Sequence, residues 1–181
     1  MKIASLVLQI TLLWASGVLQ EAIGQPGPPV LTFHVSPTKP TFVGGEDIIL
    51  RFELHNNSKD VVFVSRKMYD EFVDVTIFGP DGKKVTRRGK SKIDSKRYSP
   101  QDFAVLKEGE SIGTNAVVSL KDGLGFVIDK PGRYRAVGEY ALGPPAYFAP
   151  FAGAAKVPEG TFRSKVQTFC LETCVATSEP K

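Results

Sequence analysis

Hydrophobic and polar residues alternate along much of the chain. In residues 31–36 and again in residues 48–55, every second side chain is apolar, beginning at Leu31 and Ile48. A period of two is typical of β-strands that bury one face. The same alternation, or a short apolar run, predicts further strands at residues 61–64, 72–78, 103–106, 112–120, 133–141 and 165–172, with a short return strand at Val85. No segment of useful length combines a helical period with caps.

Turn-forming residues separate these predicted strands. They occupy residues 44–47, 56–60 and 79–82, and the Asp81-Gly82 pair in the last of these is a strong hairpin signal. Short strands separated by Gly and Pro turns are typical of β-sandwiches and barrels. The sequence therefore predicts an all-β fold, an antiparallel β-sandwich of about seven to nine strands.

Residues 129–136 resemble the tyrosine corner of immunoglobulin-like domains, in which a Tyr hydroxyl bonds back to the backbone of the preceding turn. Gly132 lies in the turn and Tyr134 takes the place of the corner tyrosine, so both are expected to be structural. The core position two residues later is Ala136, where antibody domains have Cys, and the strand at residues 48–54 contains no Cys. The predicted sandwich is thus immunoglobulin-like but lacks the inter-sheet disulfide.

The segments at residues 46–58, 73–83, 103–111 and 130–134 resemble bacterial secreted immunoglobulin-like modules, over about residues 30–172. The chain is also similar to the intracellular proteinase inhibitor type sandwich and to the N-terminal sandwich of deuterolysin-type metalloproteases. It departs from the first by its predicted signal peptide and from the second by lacking a protease domain. Because the shared motifs belong to the scaffold, they specify the fold better than the function.

The first residues predict export. Lys2 is the only charge before Glu21, residues 3–19 are mostly apolar, and residues 22–24 give the small-x-small pattern of a signal peptidase site. A cut after Gly17 and an uncleaved membrane anchor are the alternatives. We expect a secreted or periplasmic protein with no stable membrane span after cleavage. The predicted organisation is a signal peptide at 1–24, a Pro-rich leader at 25–30, the sandwich at 31–172 and a C-terminal tail at 173–181.

Composition narrows the function classes. The chain has 181 residues, of which 42% are hydrophobic and 23% charged, enough for one domain with a core and too apolar for a disordered chain. Its two cysteines, Cys170 and Cys174, are too few for a disulfide scaffold. Export favours a disulfide between them, whereas a continuous strand would hold their Cα atoms about 13 Å apart. Pairing therefore requires a turn near residues 172–173, and both alternatives stay open.

Catalytic and metal-binding motifs are missing from the sequence. His34 and His55 fall on the polar sides of their strands, and no His-Glu-x-x-His, Gly-x-Ser-x-Gly or phosphate-binding loop occurs. Asp122 and Asp129 flank a Gly-rich segment, but they offer too few oxygen ligands for calcium, and turn formation is the favoured interpretation. We therefore predict no catalytic residue, no metal site, no cofactor and no enzymatic activity.

Positive charge is concentrated in residues 83–97, which contain eight basic residues and one acidic residue, Asp94. The net charge of this stretch is +7, and that of the remainder of the chain is −3. Such a loop suits an anionic surface such as lipid headgroups or polysaccharide. Nucleic acid is not expected, because the loop has little aromatic interleaving for base stacking. The alternative is a solvated hairpin that protects a sheet edge. The candidate binding residues here are Lys83, Lys84, Arg87, Arg88, Lys90 and Lys92.

A second candidate loop spans residues 143–153. Its aromatic residues Tyr147, Phe148 and Phe151 lie among prolines and form either a stiff apolar binding surface or a cap on the open end of the sandwich.

A glycosylation sequon begins at Asn56. We expect it to be unmodified, because the sequence looks bacterial and the sequon matters only in a eukaryotic host.

These patterns favour an exported, non-catalytic binding module whose loops recognise a protein or an anionic surface ligand. One alternative is a protease inhibitor that places an exposed loop in a protease cleft, so that a protease is the partner. Another is a structural domain of a cell-envelope system. Fold-level motifs do not choose between them.

Overall fold

The computed structural model describes residues 29–67, 72–87, 98–118, 124–143, 145–172 and 174. The predicted signal peptide at 1–24 lies outside them. Within these ranges the chain forms ten strands, one helix and a 3-10 turn at Pro100–Asp102. The elements are β1 Leu31–Pro37, β2 Thr41–Phe42, β3 Ile49–Asn56, β4 Val62–Ser65, β5 Val73–Phe78, β6 Phe103–Leu106, β7 Ser111–Val117, β8 Gly132–Tyr140, α1 Pro145–Ala152, β9 Phe162–Arg163 and β10 Gln167–Leu171.

The strands form three sheets. One has the order β1-β3-β7, the second has the order β2-β10-β8-β5 with β9 also paired to β8, and the third is the pair β4-β6. Among the named strands of the described ranges, β2 and β10 pair in parallel, and the other strand pairs are antiparallel. The predicted class, an all-β sandwich, is confirmed. The strand number exceeds the predicted seven to nine because two-residue strands, β2 and β9, have no readable alternation.

The buried faces of the strands form one core. The alternating apolar residues Leu50, Phe52 and Leu54 of β3 are each 0% exposed, as the period of two predicts. The two larger sheets lie close together at Gly138 of β8, where an added Cβ would lie within 3 Å of Val35 and Phe33 side-chain atoms of β1. Because that space holds no side chain, the sheets can pack closely at this point.

The last strand of the sandwich is interrupted. β9 and β10 pair with successive parts of β8, and residues 164–166 separate them. In the interruption, the Ser164 N–H donates to the Gly138 carbonyl at 2.8 Å, and the Gly138 N–H donates to Ser164 Oγ at 2.9 Å. The Ser164 hydroxyl therefore accepts the Gly138 N–H in place of a backbone carbonyl, at the point where the hydrogen-bond ladder with β8 is interrupted.

The small sheet is fastened to the large one by a buried tyrosine. The Ser65 N–H at the end of β4 donates to the Tyr140 hydroxyl on β8 at 3.0 Å. Burial raises the pKa of Tyr140 well above its ordinary value, so the hydroxyl stays neutral.

Asn56 holds the turn that follows β3. Its side chain is 0% exposed, and its Nδ2 donates to the carbonyls of Asp60 at 2.8 Å and Leu106 at 3.0 Å, while its Oδ1 accepts from Ser58. Because Nδ2 is buried and occupied, the sequon at Asn56 is inaccessible to glycan attachment in the folded protein. No helix in the described part of the chain is both long and apolar enough to cross a membrane.

Candidate functional site

The first lysines of the predicted basic loop, Lys83 and Lys84, lie at the opposite end of β5 from the aromatic region. Gly79, which begins the basic hairpin, follows the last residue of β5, Phe78. Phe72, which precedes β5, packs against Phe148 of α1 with ring centroids 5.9 Å apart. Six residues of strand separate them, a length of about 20 Å. Lys83 and Lys84 therefore do not share a surface with the aromatic region, whereas Arg87 lies farther back along β5, with its Nη1 3.6 Å from Asp74.

A surface cleft of about 390 Å³ opens at the basic end. One wall is the hairpin after β5 and the other is the tyrosine corner before β8. The residues that line it are Gly79, Pro80, Asp81, Lys83, Lys84, Val85, Thr86, Val127, Asp129, Lys130 and Tyr134. We call this the basic cleft.

The tyrosine corner makes one wall rigid. The Tyr134 hydroxyl donates to the Lys130 carbonyl at 2.6 Å, as the motif predicts, and its ring stacks on Phe169 with centroids 5.4 Å apart. Burial raises the pKa of Tyr134 above its ordinary value, and the carboxylates of Asp129 and Asp81 add to the shift. The hydroxyl thus remains a neutral donor.

Gly132 joins the two walls. Its φ is 139°, a backbone conformation that residues other than glycine rarely adopt. An added Cβ would also lie 2.6 Å from Pro80 Cγ in the hairpin. Gly132 and Tyr134 thus both lie where the corner packs against the hairpin, and their structural roles stay a prediction.

Tyr134→Phe is expected to lower the free energy of unfolding by about 1 kcal/mol, because the Lys130 carbonyl loses its hydrogen-bond donor. Urea denaturation measures the change. Tyr147→Phe is the matched control, because Tyr147 is 73% exposed and its hydroxyl has no bonded partner among the described residues. Equal small effects of both substitutions would show that the corner bond does not stabilise the fold.

The cations of the predicted basic loop have different surroundings. Lys83 and Lys84 are exposed, and neither ammonium group forms an ion pair with a residue that the structure describes. Arg87 is different: its Nε donates to the Leu124 carbonyl at 2.6 Å, and its guanidinium lies 5.6 Å from the Phe126 ring centroid. Arg87 therefore fastens the hairpin to the sandwich. Arg88, Lys90 and Lys92 lie outside the described residues.

The backbone of the hairpin covers a sheet edge. The Val85 N–H donates to the Ile77 carbonyl of β5 at 2.8 Å, and the Val127 N–H donates to the Thr86 carbonyl at 3.1 Å. These bonds support the alternative interpretation, in which the hairpin protects an edge strand. They use only the main chain, so the Lys83 and Lys84 side chains stay available.

The prediction of a loop at residues 143–153, and of no helix, is wrong over Pro145–Ala152, which form α1. Phe148 is 4% exposed and Phe151 is partly buried, stacked on Phe103 with centroids 5.6 Å apart. Tyr147 is 73% exposed. Phe148 and Phe151 thus cap the end of the sandwich, and of these three aromatic side chains Tyr147 alone is accessible to a partner.

A readable signal for α1 exists in the sequence. Pro145 stands at the first helical position, where its missing N–H is harmless. The apolar side chains that face the core, Phe148, Phe151 and Ala152, follow the spacing i, i+3, i+4. Several prolines nearby, including Pro150 inside the helix, made a loop the more natural interpretation.

The histidines lie away from the basic cleft. His34 is exposed, and His55 Nδ1 lies 2.9 Å from Ser111 Oγ on the outer face of the three-stranded sheet. Across the described residues, no three His, Cys, Asp or Glu side chains stand close enough together to hold a metal ion. Asp129 lines the cleft, and Asp122 lies outside the described residues.

Cys170 and Cys174 form a disulfide with Cα atoms 5.9 Å apart. The required turn is made at Glu172, whose φ of 62° lies in the left-handed region. The bridge closes a short loop at the end of β10 and does not link the sheets.

No protein-family model and no curated protein matches the chain. Among solved structures, it is similar to Pseudomonas fluorescens alkylpurine DNA glycosylase AlkC bound to DNA containing an abasic site analog, with 15% identity and a TM-score of 0.41. It is also similar to a mutant β-glucosidase from Listeria innocua in complex with laminaribiose, with 13% identity and a TM-score of 0.36. The likenesses cover 81% and 80% of this chain but only 31% and 16% of those chains. Likenesses this distant carry no information on activity or ligand.

Proposed function

We propose that the protein is an exported, non-catalytic binding module that recognises an anionic ligand at the basic cleft. The observation that carries this proposal is the cleft itself, where the exposed Lys83, Lys84 and Lys130 lie beside a rigid corner and outnumber the two carboxylates of the lining, Asp81 and Asp129. Cations without partners attract anions more strongly than cations already neutralised by carboxylates.

The composition of the hairpin supports the same proposal. Lys83 and Lys84 begin the stretch at residues 83–97, which carries a net charge of +7. A local excess of one sign along the chain raises the concentration of oppositely charged ligands near that segment. Export is supported by the Cys170–Cys174 bridge, because disulfides persist in oxidising compartments.

The two alternatives receive less support. A protease inhibitor presents an extended segment to its target, whereas the aromatic region at Pro145–Ala152 is helical and buries Phe148. A purely structural domain of a cell envelope does not require unpaired lysines around a cleft. Tyr147 remains a candidate contact for a protein partner at the other end of the sandwich.

The double variant Lys83→Gln/Lys84→Gln is expected to weaken binding to heparin, a sulfated polysaccharide, about tenfold at low salt, because each exposed cation contributes roughly 0.2–1 kcal/mol. The matched control is Lys59→Gln/Lys107→Gln, which removes the same charge from exposed positions near Asn56. Fluorescence titration measures the dissociation constants. Binding that falls equally in both variants would show attraction by net charge alone and would contradict a site at the cleft.

A further inference from the structure

The outer face of the five-stranded sheet carries cations that the sequence pattern did not single out. Arg135 of β8 is paired with Phe78 of β5 on one side and with Thr168 of β10 on the other. Phe78 is paired in turn with Lys84. Directly opposed residues of antiparallel strands place their side chains on the same face. Arg135, Phe78, Lys84 and Thr168 therefore form one row across the sheet.

Arg133 extends this row along β8. It lies two residues before Arg135, so both side chains project from the same face, about 7 Å apart along the strand. Both are exposed, and neither forms an ion pair with any residue in the described ranges. The Arg135 guanidinium lies over the Phe78 ring, 5.4 Å from its centroid, and this contact limits its movement.

Acidic residues of the same face lie at its other end. Asp74 is paired with Glu139 across β5 and β8, four residues along β8 from Arg135. Arg87 Nη1 lies 3.6 Å from Asp74, and Arg163 Nε lies 3.6 Å from Glu139. These carboxylates have their own arginine partners, so they leave Arg133 and Arg135 without neutralisation.

The row is continuous with the basic cleft. Lys84 belongs to both, since it lines the cleft and pairs with Phe78. Two strand spacings, about 10 Å, separate Lys84 from β8. With Lys83 and Lys130, the track extends from the end of the sandwich onto its face. A small anion contacts one or two of these cations, whereas a chain with repeated charges contacts all of them.

We propose that this track, Lys83, Lys84, Lys130, Arg133 and Arg135, binds an extended anionic polysaccharide with carboxylate or sulfate groups. The inference rests on the proposed function, because the cleft supplies three of the five cations. The charged groups of the polymer lie in the cleft first and then along β8. Thr168, exposed beside Arg135, offers a hydroxyl to the sugar hydroxyls.

The surroundings favour a polysaccharide over other polyanions. Single-stranded nucleic acid binds by stacking its bases on free aromatic faces, whereas the ring of Phe78 is covered by Arg135. Membrane surfaces are bound by basic residues together with Trp, Phe or Leu side chains that enter the interface. Among the described residues, the exposed aromatic side chain is Tyr147, which lies at the opposite end of the sandwich.

The test compares the purified protein with the double variant Arg133→Gln/Arg135→Gln in titrations with a heparin oligosaccharide long enough to span the cleft and the sheet face. We expect affinity to fall about tenfold, and the slope of log K against log salt to fall by about 2, because two contacts are lost. Binding of a sulfated monosaccharide is expected to be unchanged. Arg133→Lys/Arg135→Lys is expected to retain affinity within about twofold, because the charge is kept.

The control is Lys59→Gln/Lys107→Gln, and the thermal unfolding midpoint is measured to show that each variant folds. If heparin binding depends on Lys83 and Lys84 but not on Arg133 and Arg135, the extended track is wrong and the cleft alone stands. If the unmodified protein does not bind heparin, both proposals fail. If phosphatidylglycerol vesicles or single-stranded DNA bind more tightly through the same arginines, the choice of polysaccharide is overturned.

Discussion

Phe148→Ala is expected to lower the free energy of unfolding by about 3–5 kcal/mol, the cost of deleting a buried aromatic side chain. Phe148 is 4% exposed, and its ring lies 5.6–5.9 Å from the rings of Phe72, Tyr98 and Phe103. Removing it leaves a cavity between α1 and the end of the sandwich. Urea denaturation followed by far-ultraviolet circular dichroism measures the change in the free energy of unfolding.

The neighbouring residue provides the control. Tyr147 precedes Phe148 in α1 but is 73% exposed, so Tyr147→Ala is expected to change stability by less than about 0.5 kcal/mol. If the two substitutions have equal small effects, Phe148 does not cap the core. Such a result would favour the alternative, in which residues 143–153 form a binding surface.

Gly132→Ala is expected to cost about 2–4 kcal/mol, for two reasons that act together. A φ of 139° strains any residue with a Cβ, and the new methyl group would lie 2.6 Å from Pro80 Cγ, a ring atom with little freedom to move. The substitution is also expected to weaken ligand binding, because it separates the two walls of the basic cleft.

Gly109→Ala separates the two causes. Gly109 also has a positive φ, 78°, but an added Cβ there meets nothing within 4 Å. We expect a loss of about 1 kcal/mol from backbone strain alone. Urea denaturation of both variants gives the comparison. Equal losses at the two positions would contradict the close packing of the tyrosine corner on the hairpin.

Local patterns predicted several features correctly. The alternation in β1 and β3 identifies Leu31, Phe33, Leu50 and Phe52 as core residues, and all four are buried. Their burial follows from the pleat of a single strand, which is set within a few residues. The corner around Tyr134 was predictable for the same reason, because its hydroxyl bonds to a carbonyl only four residues away.

Other features depend on residues far apart in sequence. α1 is stabilised by Phe72 and Phe103, each more than forty residues from Phe148, so its own eight residues carry only a weak signal. The sequence also leaves the disulfide undetermined, for a similar reason. Its formation depends on the left-handed turn at Glu172, which the sequence Cys170 to Cys174 permits but does not require.

The sequence by itself determined the class of fold, the faces of the strands that enter the core and the concentration of positive charge in residues 83–97. Only the tertiary structure decided what lies beside that charge. Strand register brings Lys84 into one row with Phe78 and Arg135, although the three come from separate segments. The same packing places Tyr147 at the far end of β5. Register and packing are set by contacts between distant strands, and for this reason no local pattern predicts them.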